Sequence, residues 1–141
     1  MNRFNTLFAG TEALVQTTIG GYKNGKILGE TYYAHVVIWR VMTGIWPEQE
    51  VDHIDRDVSN NKWGNLREAS TSQNRANRSL FKTSLSGFKG VRLQDSGRWQ
   101  VRFNKKHIGT FNSDIEAAKA YDKLAREHYG NFALLNFGDE T

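Results

Sequence analysis

The chain has 141 residues, enough for one domain or two small ones, with 38% apolar residues, one proline, no cysteine and a formal net charge of +4. The lack of cysteine excludes disulfides, Cys-ligated zinc, iron–sulfur clusters and a thiol nucleophile, and is compatible with a cytosolic setting. No stretch approaches the roughly 18 apolar residues of a membrane span, and the opening residues show no signal-peptide pattern, so no membrane partner is expected. The charge is unevenly spread: residues 75–106 carry nine basic residues against Asp95 as the one acid. A basic stripe with interleaved aromatics is the electrostatic footprint of nucleic-acid binding, although an ordinary solvated face would also accommodate it.

Residues 1–12 have no clear period. Residues 13–20 and 27–34 are β-prone and flank GGYKNG, which reads as a glycine-rich turn. In the apolar run 35–43, the spacing of Val37, Ile38 and Val41 favours a helix over a strand, ended by Gly44 and Pro47. Residues 51–54 read as a short strand, 55–64 as a polar, turn-rich loop, and 65–70 as the returning strand. From Thr71 to about Ser79 a short helix with a Ser/Thr N-cap is expected. Patterning lapses over 80–87, a linker.

Beyond the linker the alternation is clean. GVRLQ makes a first strand with Val91 and Leu93 inward and Arg92 and Gln94 outward. In 98–104, Trp99, Val101 and Phe103 share one face, and Arg98, Gln100, Arg102 and Asn104 the other. A tight turn at Asn104 and Lys105 would set Arg102 opposite His107 and Val101 opposite Ile108. Ser113 to Glu116 reads as a capping box opening a helix to about Tyr129, with Ile115, Ala118, Tyr121 or Asp122, and Ala125 at helical spacing, four alanines allowing close approach to a sheet, and Gly130 as the stop. The fold class expected is α+β, its second half a three-stranded antiparallel sheet packed on one helix. One sheet face is needed for the helix. The other presents Arg92, Gln94, Arg98, Gln100, Arg102 and His107, with Lys105 in the turn beside them. A small ribbon of strands fits the major groove, where Arg bonds guanine and Gln bonds adenine.

The segments GFKGVRLQDSGRWQVRF and HIGTFNSDIEAAKAYDKLAREHYGNFALLNF resemble the plant Apetala/ethylene-response-factor DNA-binding domain from Phe88 to Phe137. The resemblance implies binding of double-stranded DNA through the sheet, with Lys89, Arg92, Gln94, Arg98, Arg102 and His107 at DNA-contacting positions. The plant pattern usually has an acid where Arg102 stands and commonly Trp where Ser96 and His107 stand, so the plant target sequence does not transfer.

In the first half, Asp52 and His53 adjoin on a short strand, Asn65 opens the return strand, and Asn74 lies on the helix that follows. A strand–loop–strand–helix can gather all four. A carboxylate and an amide oxygen suit a hard cation such as Mg²⁺, a neutral histidine can activate water near pH 7, and an asparagine can fix the ring. Such parts suit metal-assisted phosphodiester hydrolysis, though Asp, Asn and Gly are also ordinary turn formers. VDHIDRDVSNNKWGNLREASTSQN, with the lead-in AHVVIWRVMTGIWPE, resembles the HNH motif of the ββα-metal endonucleases. The resemblance implies His53 as general base, Asn65 as the residue orienting it, and Asp52 and Asn74 as ligands of Mg²⁺, with Mn²⁺ as the other candidate. His35 is read as structural, packing beneath the site. Asp55 and Asp57 are read as solvent-facing, Trp63 as a loop anchor, and Arg56, Lys62, Arg67, Arg75 and Arg78 as phosphate contacts.

The expected domains are a nuclease over 1–79 with its motif core at 51–78, the linker at 80–87, and a DNA-binding domain over 88–138. The pairing is similar to homing-type HNH endonucleases of phages and bacteria, which implies action in the cytoplasm of a bacterial or phage-infected cell, as a monomer that nicks or a DNA-induced dimer. The competing readings are a sequence-specific regulator with an inactive nuclease half and a low-specificity phage nickase.

Overall fold

A computed structural model describes residues 13–78 and 86–138. The chain divides into two compact units, 1–69 and 70–141. Both combine short antiparallel strands with helices, an α+β fold.

The first unit opens with a three-stranded antiparallel sheet, β1 (Gln16–Thr17), β2 (Lys23–Ile27) and β3 (Glu30–Tyr33), in chain order. GGYKNG is not a single turn. The first reversal lies at 18–22, where the Thr18 and Tyr22 backbones bond, and Lys23, Asn24 and Gly25 belong to the middle strand. Gly25 serves close packing rather than turning: a Cβ there would sit 2.9 Å from the Leu14 Cα. The second reversal is Leu28 and Gly29, both at positive φ, the conformation a two-residue hairpin loop requires. Helix α1 (Ala34–Thr43) follows at once and stops, as expected, at Gly44, whose left-handed backbone lets its N–H reach the Arg40 carbonyl.

Strands β4 (Glu50–His53) and β5 (Leu66–Ala69) form an antiparallel pair in which Asp52 faces Arg67 and His53 faces Leu66. Val51, Leu66 and Ala69 are buried. The connecting residues 54–65 end in a 3-10 turn, Trp63–Asn65, so Asn65 precedes the return strand rather than starting it. Trp63 anchors this loop against Trp39 of α1, ring centroids 5.2 Å apart.

In the second unit, α2 (Thr71–Asn77) is capped by Ser70, with Ser70 and Gln73 closing a capping box. Residues 79–85, most of the expected linker, lie outside the described residues. Strands β6 (Val91–Leu93), β7 (Trp99–Phe103) and β8 (Lys106–Phe111) form the expected sheet. It packs on α3 (Asp114–Tyr129), which a 3-10 turn, Gly130–Phe132, follows. Ser113 caps α3 by accepting from the Ile115 N–H, not by the box with Glu116.

The turn at Asn104 and Lys105 sets Arg102 opposite His107 as expected, but Val101 pairs with Gly109, because the register shifts between Val101 and Arg102 and leaves Ile108 as an extra, bulged residue. The core gathers Val91, Val101, Ala117, Ala118, Tyr121 and Ala125, flanked by Phe88, Trp99, Phe103, Phe111, Leu135 and Phe137. Ala117 and Ala118 are wholly buried. Leu93 and Ile115, expected inward, lie at the margin and stay about half exposed, 46% and 50%. Gly90 has φ +75°, and a Cβ on it would overlap the Tyr121 ring, so the backbone turn and the core both require glycine.

Burial holds the Tyr121 phenol up at about 12. Asp122, buried beside it, accepts from the Asn136 N–H (2.8 Å), the Asn136 side-chain amide (2.9 Å) and the Phe137 N–H (2.9 Å). Asn136 in turn donates to the Lys89 carbonyl. This network ties the C-terminal segment across the helix to the start of the sheet.

Candidate functional site

Strand β4 carries Asp52 and His53, both buried, at 6% and 3% exposure. Two adjacent strand residues normally point to opposite faces, so burial of both means that each face of this hairpin is covered. Asp52 receives the guanidinium of Arg67, whose Nε and Nη2 donate to the same carboxylate oxygen at 3.0 and 2.9 Å. This is a direct consequence of the register that sets the two opposite each other. His53 lies in a cluster of rings, 5.1 Å from His35 edge-on and 6.1 Å from Tyr22.

His53 Nε2 lies 3.0 Å from Asn61 Oδ1. An amide oxygen only accepts, so Nε2 carries the proton and the basic lone pair of the neutral ring falls on Nδ1. Asn65 is engaged elsewhere. Its Nδ2 donates to Asp55 Oδ1 and to the Asn60 carbonyl, each at 2.8 Å, and its Oδ1 accepts from the Asp55 N–H at 3.0 Å. Asn65 therefore shapes the loop, and Asn61 is the side chain at the imidazole. Asp55 and Asp57 are exposed, as expected, and structural. The Asn60 side chain holds the Asp55 carboxyl below its ordinary range, and the Ser59 hydroxyl does the same for Asp57.

His35 packs where expected, between His53 and the rings of Tyr22 and Tyr33. Its Nδ1 is the one buried side-chain polar atom without a hydrogen-bond partner among the described residues. Burial, with a smaller contribution from His53, lowers its pKa to about 4. The ring is thus neutral at physiological pH. Among the described residues no three His, Cys, Asp or Glu side chains gather in a metal-holding cluster. Asp52 contributes one carboxylate, a donor that suits a hard cation such as Mg²⁺, and Asn74 stands part-buried on α2 in the second unit.

On the second unit's sheet, Arg92, Arg98, Arg102, Lys105 and His107 are exposed, with Gln94 and Gln100 part-buried. Arg98 donates to the Thr110 carbonyl (3.1 Å), Arg102 to the Lys105 carbonyl (3.0 Å), and the Gln100 amide meets His107 at 3.1 Å. Lys89 differs from expectation. It is part-buried, and its ammonium donates to the Ala76 and Arg78 carbonyls at the end of α2, a helix-terminal role favoured for a cation. The sequence does not single out Asn61, one of several asparagines in the same loop. The Asp52–Arg67 pairing follows once the hairpin register is known.

Residues 32–76 match the HNH endonuclease family model. An uncharacterized HNH endonuclease of Acanthamoeba polyphaga mimivirus is 31% identical over 82% of this chain and 63% of its own length. An APETALA2-like protein of Oryza sativa subsp. indica is 41% identical over 40% of this chain and 14% of its own. An AP2/ERF and B3 domain-containing transcription repressor of Arabidopsis thaliana is 39% identical over 43% and 18%. The chain thus spans less than two thirds of the length of these relatives. No solved structure matches it. Among the described residues no helix is long and apolar enough to cross a membrane. Beside the buried Asp–His strand of the first unit and the sheet-on-helix second unit, residues 32–76 are thus similar to the HNH endonucleases, and the chain also carries a segment similar to the plant AP2/ERF proteins.

Proposed function

We propose that the chain is a divalent-metal-dependent DNA endonuclease of the homing HNH type, nicking double-stranded DNA as a monomer and directed to its sites by the second unit's sheet. In this reading the nuclease spans 1–79 with its core at 51–78, and residues 88–138 read the DNA. The setting proposed is the cytoplasm of a bacterial or phage-infected cell; the mimivirus relative supports a viral context. The observation that carries the proposal is the buried Asp52–His53 pair on β4, with the His53 ring fixed by Asn61.

Asp52 and Asn74 would hold the metal, Mg²⁺ before Mn²⁺. A cation bound there would stabilise negative charge developing on the scissile phosphate. His53, with its proton held on Nε2 by Asn61, takes a proton from the attacking water at Nδ1. Asn65, Asn60 and Asp55 keep the loop in the shape that presents Asn61. Arg67 keeps the Asp52 carboxylate from turning. Attack by water on phosphorus with departure of the 3′ oxygen leaves 5′-phosphate and 3′-hydroxyl ends.

Incubation of supercoiled DNA with the wild type in Mg²⁺ is expected to give nicked circles with those ends, and none in EDTA. His53→Ala is expected to lose at least about a hundredfold in cleavage while still retarding DNA in a gel. Undiminished cleavage by His53→Ala, or cleavage in EDTA, overturns the proposal. Site-selective binding with no cleavage under any divalent metal would mean a regulator instead.

A further inference from the structure

The outer face of the second sheet holds one polar pair whose chemistry is set by the fold. Gln100 on β7 and His107 on β8 meet diagonally, Gln100 Nε2 to His107 Nδ1, at 3.1 Å. The two-residue turn at Asn104 and Lys105 sets this contact: it places His107 opposite Arg102, on the face that carries Gln100, and the bulge at Ile108 then brings Phe111 opposite Trp99.

The pair has a defined polarity. A side-chain NH₂ group only donates, so His107 Nδ1 accepts and the ring proton sits on Nε2. One amide N–H of Gln100 is thereby taken. What remains on Gln100 is an acceptor, Oε1, and one donor, the second N–H. In the major groove adenine offers an N7 acceptor and an N6–H donor, the complement of that remainder, whereas guanine offers two acceptors. Arg98 and Arg102 flank the pair on the same face, and each guanidinium has further N–H groups for phosphate oxygens.

We propose that Gln100 and His107 form a composite base-reading unit that selects an A·T base pair, His107 acting as a positioning residue that fixes the orientation of the Gln100 amide. This rests on the reading of the sheet as a DNA-contacting face. It differs from a lone glutamine contact because the identity of residue 107, which need not touch the base, decides which base is chosen.

The test is selection of binding sites from a randomised duplex pool by the full chain in EDTA, where no cleavage is expected. The wild type is expected to show one A·T position that Gln100→Ala loses, discrimination falling from about tenfold or more to below about twofold. His107→Lys supplies only donors, so it draws Oε1 toward itself and leaves Gln100 two N–H donors. The same position is expected to switch toward G·C, the other positions staying as they were. The proposal is overturned if Gln100→Ala keeps every preference, or if His107→Lys leaves that position A·T. If the wild type enriches no sequence, and Arg92→Ala and Arg98→Ala leave DNA affinity unchanged, the sheet does not contact DNA and the underlying reading falls with the proposal.

Discussion

The two units bury different things. The second unit closes over a conventional apolar core of Val91, Val101, three alanines and Tyr121, and leaves its polar side chains on the far face of the sheet. Among its described residues the first unit buries the apolar side chains Ala34, Val51, Leu66 and Ala69, and beside them His35, Asp52 and His53. Burying polar groups costs stability unless they are paired. In the first unit the pairings of Asp52 with Arg67 and His53 with Asn61 offset that cost; the proposed function would account for it, because a general base and a metal ligand would need shielding from bulk water, whereas a DNA-reading surface would not.

This contrast can be broken at three places. The largest effect is expected from Asp122→Ala, which removes the acceptor of three hydrogen bonds holding the C-terminal segment, at a cost of about 2–4 kcal/mol. Hydrogen exchange is expected to show lost protection concentrated in residues 86–138. Equal loss in β4 and β5 would mean that the two cores are not energetically distinct. Next comes Arg67→Met, which leaves the buried Asp52 carboxylate without its guanidinium and is expected to cost about 2 kcal/mol. Because a cation at Asp52 would replace the lost charge, Mg²⁺ is expected to raise the melting temperature more in this variant than in the wild type. An equal Mg²⁺ effect in both would remove Asp52 from the metal site.

The smallest effect at neutral pH belongs to His35. Its pKa is near 4 in the folded protein against 6.5 for the free side chain. Between those values the unfolded chain binds a proton that the folded chain does not, so stability falls as pH drops from about 6.5 to 4, by no more than about 1.4 kcal/mol per pH unit. Thermal melts of His35→Phe are expected to show a flatter pH dependence over that window. An unchanged slope would place the acid sensitivity elsewhere.

Much of this was legible in the sequence. Helix α1 and its Gly44 stop, the Asp52–His53 strand, the Asn104–Lys105 turn and the α3 alanines all follow from local patterns. What was not legible depended on the path of the chain in three dimensions. GGYKNG looks like a turn because it holds three glycines, yet Gly25 is small so that Leu14 can approach. Asn60, Asn61 and Asn65 are chemically alike, and only the loop's course decides that Asn61 meets His53 while Asn65 ties down Asp55. The bulge at Ile108 leaves no mark in the alternation of β7, yet it decides that Phe111 pairs with Trp99.

The docking of α2 has a consequence for modularity. The family match runs to residue 76, whereas the packing boundary falls between Ala69 and Ser70. The helix inherited with the nuclease motif is held by Lys89, by the Leu134 N–H on the Ala76 carbonyl, and by Ser72 against Tyr129. The grammatical unit of the sequence and the mechanical unit of the structure therefore overlap by one helix. A chimera that joins this nuclease motif to a foreign DNA-binding module at residue 79 would transplant α2 without the surface that holds it. Recombination that keeps 70–138 intact and exchanges what precedes it would carry the joint across whole.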